Sequence, residues 1–183
     1  MREELDESLC KTYPKMFVNR HKSMQETCMC WGFSCGDGWF NIIDQLCSNI
    51  QHYIDWTVKN YENNVEYNSA VNAAKNGNTA GLEEYFAGMY NSGDRIAEAI
   101  QGPLRDVKEP VAQVVVDQVK EKFGTLRFYY TGGDDQIRGM VSMAESMSGV
   151  TCEECGAPGT TGGNGWISTL CDTHRKKHEK TTV

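Results

Sequence analysis

The chain has 183 residues, 39% of them hydrophobic and 23% charged, with a net charge of −7 and no apolar run of membrane-spanning length. This composition excludes a disordered chain and helices that cross a bilayer, and it allows one sizeable core plus a small appendix. Residues 1–110 carry 10 Lys and Arg against 16 Asp and Glu, residues 111–183 carry 8 against 9, and the acidic excess disfavours non-specific attachment to a phosphate backbone.

The first segment, MREELDESLCKTYPK, is acidic and lacks the apolar stretch of a secretory signal. The eight cysteines therefore read as thiols of a reducing cytoplasm, not as a disulfide scaffold. Residues 1–35 read as irregular, with Cys28, Cys30, Trp31, Phe33 and Cys35 crowded together and packed on the core. Asp37 is placed to cap a helix. Phe40, Ile43, Cys47, Ile50, Ile54, Val58 and Tyr61 then recur at steps of three or four, which predicts a helix to about residue 62. A shorter helix is expected over 65–75, ended by Asn76-Gly77. Another should start at Asn78 or Thr79, bury Leu82, Phe86, Met89, Ile96 and Ile100, and stop at Gly102-Pro103.

Residues 111–131 change character. Val111, Val114, Val115, Gln118 and Val119 fit a helical face, but the β-branching favours a strand. After a turn near Lys122–Gly124 the chain alternates, with Leu126, Phe128 and Tyr130 on one face and Thr125, Arg127, Tyr129 and Thr131 on the other. Gly132-Gly133-Asp134 reads as a turn and cap for a helix that buries Ile137, Met140, Val141, Ala144 and Met147 and closes at Ser148-Gly149.

The last quarter carries the strongest signal. Cys152, Cys155, Cys171 and His174 form C-x2-C-x15-C-x2-H, two local ligand pairs joined by a spacer, as structural zinc sites have. Gly156 suits the left-handed backbone of a thiolate knuckle. Residues 159–165 read as a hairpin tip, Trp166–Leu170 as a strand, and Asp172–Lys180 as a helix carrying His174 inward. That order is treble-clef-like. Four protein ligands leave no open coordination position, so the expected zinc is structural. His178 reads as a solvated neighbour. Cys28, Cys30, Cys35 and Cys47 lack a local ligand pair and read as small hydrophobes.

Two weaker patterns suggest a ligand. Trp31, Asp37 and Trp39 offer two rings and a hydrogen-bond acceptor, or else an aromatic corner and a helix cap. Arg127 and Tyr129 can clamp a phosphate and stack a base, or else line a half-exposed sheet face. The basic run Arg175, Lys176, Lys177 and Lys180 offers phosphate contacts to a nucleic acid. No phosphate-binding loop, nucleophile elbow or zinc-protease helix is present, and no catalytic residue is assigned.

Two stretches taken together, WGFSCGDGW at 31–39 with the helix through Cys47, and QVKEKFGTLRFYY at 118–130 running into the CxxC…CxxH tail, resemble a group of small accessory proteins encoded by tailed bacteriophages. The resemblance leaves out residues 60–105. It implies a protein acting in the cytoplasm of the infected bacterium, often against host defence, and it transfers no catalytic role.

The expected architecture is α+β: an α+β core over 1–148, with helices packed on a small hairpin or sheet, and a zinc-binding module over 149–183. The expected function is non-enzymatic: binding and sequestering a nucleotide-type signal or a host defence protein. Nucleic acid is not expected as a partner, a homo-oligomer is allowed, and a zinc-dependent nucleic-acid-binding regulator is the alternative.

Overall fold

The computed structural model describes residues 1–163 and 165–181, the last three of them as backbone. The chain is mixed α and β, as its patterning predicts, and divides into two compact units, Met1–Ile54 with Val111–Val183, and Asp55–Pro110. Residues 149–183 therefore belong to the first unit, and the division does not fall at 148.

The first unit is built on a three-stranded sheet. The elements are α1 (Glu3–Thr12), β1 (Phe33–Ser34), the first part of α2 (Phe40–Lys75) and, after the second unit, β2 (Val115–Lys122), β3 (Thr125–Thr131) and α5 (Asp135–Ser148). β1 runs parallel to β2, with Phe33 opposite Val119, and β2 is antiparallel to β3, with Val119 opposite Phe128. The β-branched segment is thus a strand, though a bulge between Val116 and Gln118 shifts its register. Leu126 and Phe128 are buried and Tyr129 is exposed, the alternation expected of a sheet with one packed face. The core joins Trp39, Ile43, Leu46, Cys47 and Ile50 of α2 and its approach to Val116, Val119, Leu126 and Phe128 of the sheet and Ile137, Val141 and Ala144 of α5. Asp134 caps α5 by accepting from the backbone N–H of Ile137 at 3.1 Å, as its position predicts.

Residues 1–35 are not wholly irregular. α1 is hidden in the sequence because its inward face carries a carboxylate in place of an apolar residue. Asp6 is buried, and it accepts from Arg20 Nε at 2.8 Å, Arg20 Nη2 at 3.2 Å and the backbone N–H of Phe33 at 3.2 Å. Gly32 has φ +71°, and a Cβ there would stand 2.2 Å from Asp6 Oδ2. One buried ion pair thus fixes how α1 meets the chain entering β1.

α2 continues where fraying was expected. The polar run after Tyr61 contains no Gly or Pro, and two of its asparagines, Asn64 and Asn68, bond to backbone beyond the helix. Asn68 accepts from the backbone N–H of Arg105 at 2.8 Å and donates to the Arg105 carbonyl at 2.9 Å. The second unit packs Tyr67, Val71 and Ala74 of α2 with Leu82 and Phe86 of α3 (Ala80–Tyr85) and its flank, and Ala99 of α4 (Ser92–Gln101). The single helix expected from residue 79 to 100 is two. Gly88 at φ +74° and Asn91 at φ +54° turn the chain between them, and left-handed backbone cannot continue an α-helix. Arg105 lies over the Tyr67 ring at 3.6 Å and donates to Tyr85 Oη at 2.8 Å, which closes this small core with a cation on an aromatic face.

The rest of the first unit is a second hairpin, β4 (Thr160–Gly162) and β5 (Ser168–Leu170), followed by α6 (Asp172–Thr181). No helix among the described residues is long and apolar enough to cross a membrane.

Asp6→Asn removes the charge that Arg20 faces. It is expected to lower stability by about 2 kcal/mol, below the range for a fully enclosed pair because Arg20 keeps some solvent, read as a lower midpoint in urea with an unchanged slope.

Candidate metal centre

Cys152 and Cys155 lie on the turn that enters the β4–β5 hairpin, Cys171 follows β5, and His174 sits in the first turn of α6. Their ligand atoms all lie within 4.8 Å of one another. Cys155 Sγ and Cys171 Sγ are 3.9 Å apart, and His174 Nδ1 is 3.3 Å from Cys171 Sγ and 3.5 Å from Cys152 Sγ. A tetrahedron with metal–sulfur bonds of about 2.3 Å and a metal–nitrogen bond of about 2.0 Å has edges of about 3.8 Å (S–S) and about 3.5 Å (S–N). These three separations lie close to those edges, and the others do not exceed 4.8 Å. The four atoms can hold a metal ion.

The electrostatics agree. Cys171 is pulled down to about 7, first by the backbone N–H of His174 and then by the imidazole. Cys155 moves the other way: the Ala157 N–H opposes the shift, but burial and the neighbouring thiols Cys152 and Cys171 raise it. Thiols this close cannot all ionise unless a cation stands among them. Gly156 takes φ +75°, the conformation anticipated for the knuckle. His178 stands outside the group, 3.6 Å from Glu154.

The knuckle does not fold alone. It is seated on Gly36-Asp37-Gly38. The backbone N–H of Gly38 donates to the Glu153 carbonyl at 2.7 Å, and that of Gly36 donates to Glu153 Oε1 at 2.9 Å. A Cβ on Gly38 would lie 2.2 Å from the Cys152 carbonyl oxygen and 2.4 Å from the Gly156 nitrogen. Trp39 is fully buried, and its indole N–H donates to the Thr151 carbonyl at 2.9 Å. On the other side, the β4–β5 hairpin rests on the β2–β3 turn. Thr169 is buried and its hydroxyl donates to the Gly124 carbonyl at 2.5 Å, while a Cβ on Gly124 would meet Thr161 Cγ2 at 2.9 Å.

This arrangement divides the ligand residues read from sequence. Trp39 is a buried anchor for the knuckle. Asp37 accepts from the Arg2 backbone N–H at 2.7 Å and pairs with its guanidinium at 2.7 Å; the Arg2 N–H, ahead of the charge, holds the carboxyl below its usual range. Trp31 is 67% exposed on a neighbouring turn. Trp39 is thus a core anchor and Asp37 a clasp on Arg2. Cys35 is buried, which pushes its thiol up to about 12 and removes it as a nucleophile at neutral pH. Arg175 is occupied too: it donates to the Gly162 carbonyl at 3.2 Å and to that of Thr160, tying α6 to β4. Lys176 and Lys177 are exposed, and the Lys180 side chain lies outside the described residues.

Arg127 and Tyr129 do share a face, with company that the sequence reading missed. Lys120 stands directly opposite Arg127, and Gln118 opposite Tyr129. The Lys120 ammonium is 5.3 Å from the Tyr129 ring. A cleft of about 400 Å³ opens beside that ring, lined by residues 24–28, Asp117 and Gln118. Arg127 spends Nη1 on Thr125 Oγ1 and the Leu126 carbonyl, at 2.6 and 2.7 Å. The missed signal was the strand period of Gln118, Lys120 and Lys122, masked by the choice between helix and strand.

No family model, no curated protein and no solved structure matches this chain.

Gly38→Ala is expected to unseat the knuckle, because the new carbon meets backbone on three sides. Thermal unfolding should fall by several degrees and metal should be lost at lower chelator concentration, whereas Gly139→Ala, in open space on α5, should leave the chelator reading unchanged and raise the unfolding temperature through helix propensity.

Proposed function

We propose that this chain is a non-enzymatic binding protein whose C-terminal module is held by structural zinc and whose ligand is nucleotide-like. Zinc suits three thiolates and an imidazole, and the closed ligand set gives the metal an architectural role. A module this small cannot build its own core, so metal binding becomes folding energy. Hairpin, β5, then a ligand pair entering α6 follows the treble-clef order.

One observation carries the ligand assignment. Lys120 and Arg127 are directly opposed across an antiparallel pair, and like charges placed so are destabilising. A phosphate between them would turn repulsion into two charge-assisted contacts, with Arg127 Nε and Nη2 available for a forked one. The base would stack on Tyr129 in the adjoining cleft, where Gln118 and Asp117 offer amide and carboxylate partners. No such placement suits a regulator reading nucleic acid through α6, since Arg175 is a structural tie. The resemblance to tailed-phage accessory proteins supplies the setting: sequestration of a nucleotide signal, or of a host defence protein, in the cytoplasm of the infected bacterium.

Purified protein is expected to carry one equivalent of zinc by elemental analysis, and its removal should abolish the cooperative unfolding of the hairpin and α6. Calorimetry with linear and cyclic purine and pyrimidine nucleotides should show binding that Arg127→Ala weakens by about tenfold, the value of one charged contact. Absence of heat from all of them would sink the ligand assignment and leave the zinc standing.

A further inference from the structure

The β2–β3 turn contains a residue that folding does not explain. Phe123 has φ +54° and Gly124 φ +79°, a two-residue turn whose first position normally takes Asn, Asp or Gly. A bulky L-residue adopts this backbone at a cost. Burial does not offset it, since Phe123 is 68% exposed, with the Lys122 ammonium 5.4 Å from its ring. The turn is also held rigidly. Glu121 accepts from the Gly124 N–H at 2.6 Å, and Thr169 donates to the Gly124 carbonyl. A strained, exposed aromatic on a braced turn marks a functional position.

The next hairpin adds a second ring. Ile167 Cγ2 lies 3.2 Å from a Cβ built on Gly124, and the preceding residue, Trp166, is 79% exposed. From Tyr129 to the tip, the outward face of the ribbon is lined by Arg127, Lys120 and Lys122. The span is about 17 Å at the rise of a β-strand, longer than a single nucleotide needs.

We infer that the ligand of this face is a short single strand of nucleic acid, with bases stacked on Tyr129, Phe123 and Trp166 and phosphates over Arg127, Lys120 and Lys122. This rests on the assignment of Arg127 and Tyr129 above and extends it to the hairpin tips. Stacking supplies the larger share, which reconciles binding with a net charge of −7. Three phosphate contacts on a single strand give a log–log salt slope of only about −2.

Fluorescence anisotropy of zinc-loaded protein with labelled dT8 and rU8 tests this, with dTMP and UMP as competitors. The octamers should bind at least about tenfold more tightly than the mononucleotides, and Phe123→Asn and Trp166→Ala should each weaken them by about tenfold. Phe123→Asn should at the same time raise the melting temperature, because it relieves the turn; a purely structural Phe123 would move both readings downward together. If mononucleotides match the octamers, or both variants bind like the parent, the extension to the tips is overturned and the smaller site stands. If neither octamers nor mononucleotides bind at low salt, both fall.

Discussion

The structure turns on one seating: the Cys152–Gly156 knuckle pressed against the bare backbone of Gly36-Asp37-Gly38. No side chain fits between them. Gly38 must be glycine because Cys152 and Gly156 backbone atoms occupy the space of its Cβ. Trp39 then fills the core beneath and fixes the knuckle by its indole N–H. The first turns of the chain are drawn into the same place. The amino group of Met1 donates to the carbonyls of Phe33 and Cys35, and Arg2 holds Asp37. Residues separated by more than a hundred positions thus form one joint, and the ligand cluster is its outermost layer.

That joint explains why three conspicuous sequence segments occur together. GDGW is the floor on which the knuckle sits. The Phe123-Gly124 turn is the rest for the β4–β5 hairpin. The CxxC…CxxH tail supplies the part that is seated. A cation among the three thiols and the imidazole would join β5 and α6 to the knuckle, and through it to the core of the first unit. The proposed function falls on surfaces that the joint holds in place but does not consume: the outward ribbon face and the two hairpin tips. Rigid support beneath an exposed binding surface is the usual arrangement for sites carried on turns.

The aromatic residues of the sequence divide by the same logic. Trp39 and Phe33 are buried, while Trp31, Phe123, Tyr129 and Trp166 are exposed. Composition and spacing do not separate the two groups. Each Trp or Phe looks equally able to stack a base or fill a core, and the difference is made by which backbone lies above it.

The sequence by itself determined the grouping of Cys152, Cys155, Cys171 and His174, the alternation of β3, the cap of α5 with its inward Ile137, Val141 and Ala144 but not Met147, which is exposed, and the mixed α and β character. In each case the information is local: ligand spacing, a period of two or a period near 3.6 is written in consecutive residues. Only the tertiary structure decided that α1 is a helix, since its face is completed by Arg20 and the Phe33 backbone, and that α2 runs on to Lys75, where Asn64 and Asn68 bond to the backbone of Asp106 and Arg105. It alone moved Asp37 and Trp39 from a supposed pocket to the seat of the knuckle, and set Lys120 against Arg127. Those outcomes depend on partners distant along the chain, where register, close backbone approach and the pairing of buried polar groups are settled by packing and not by local pattern.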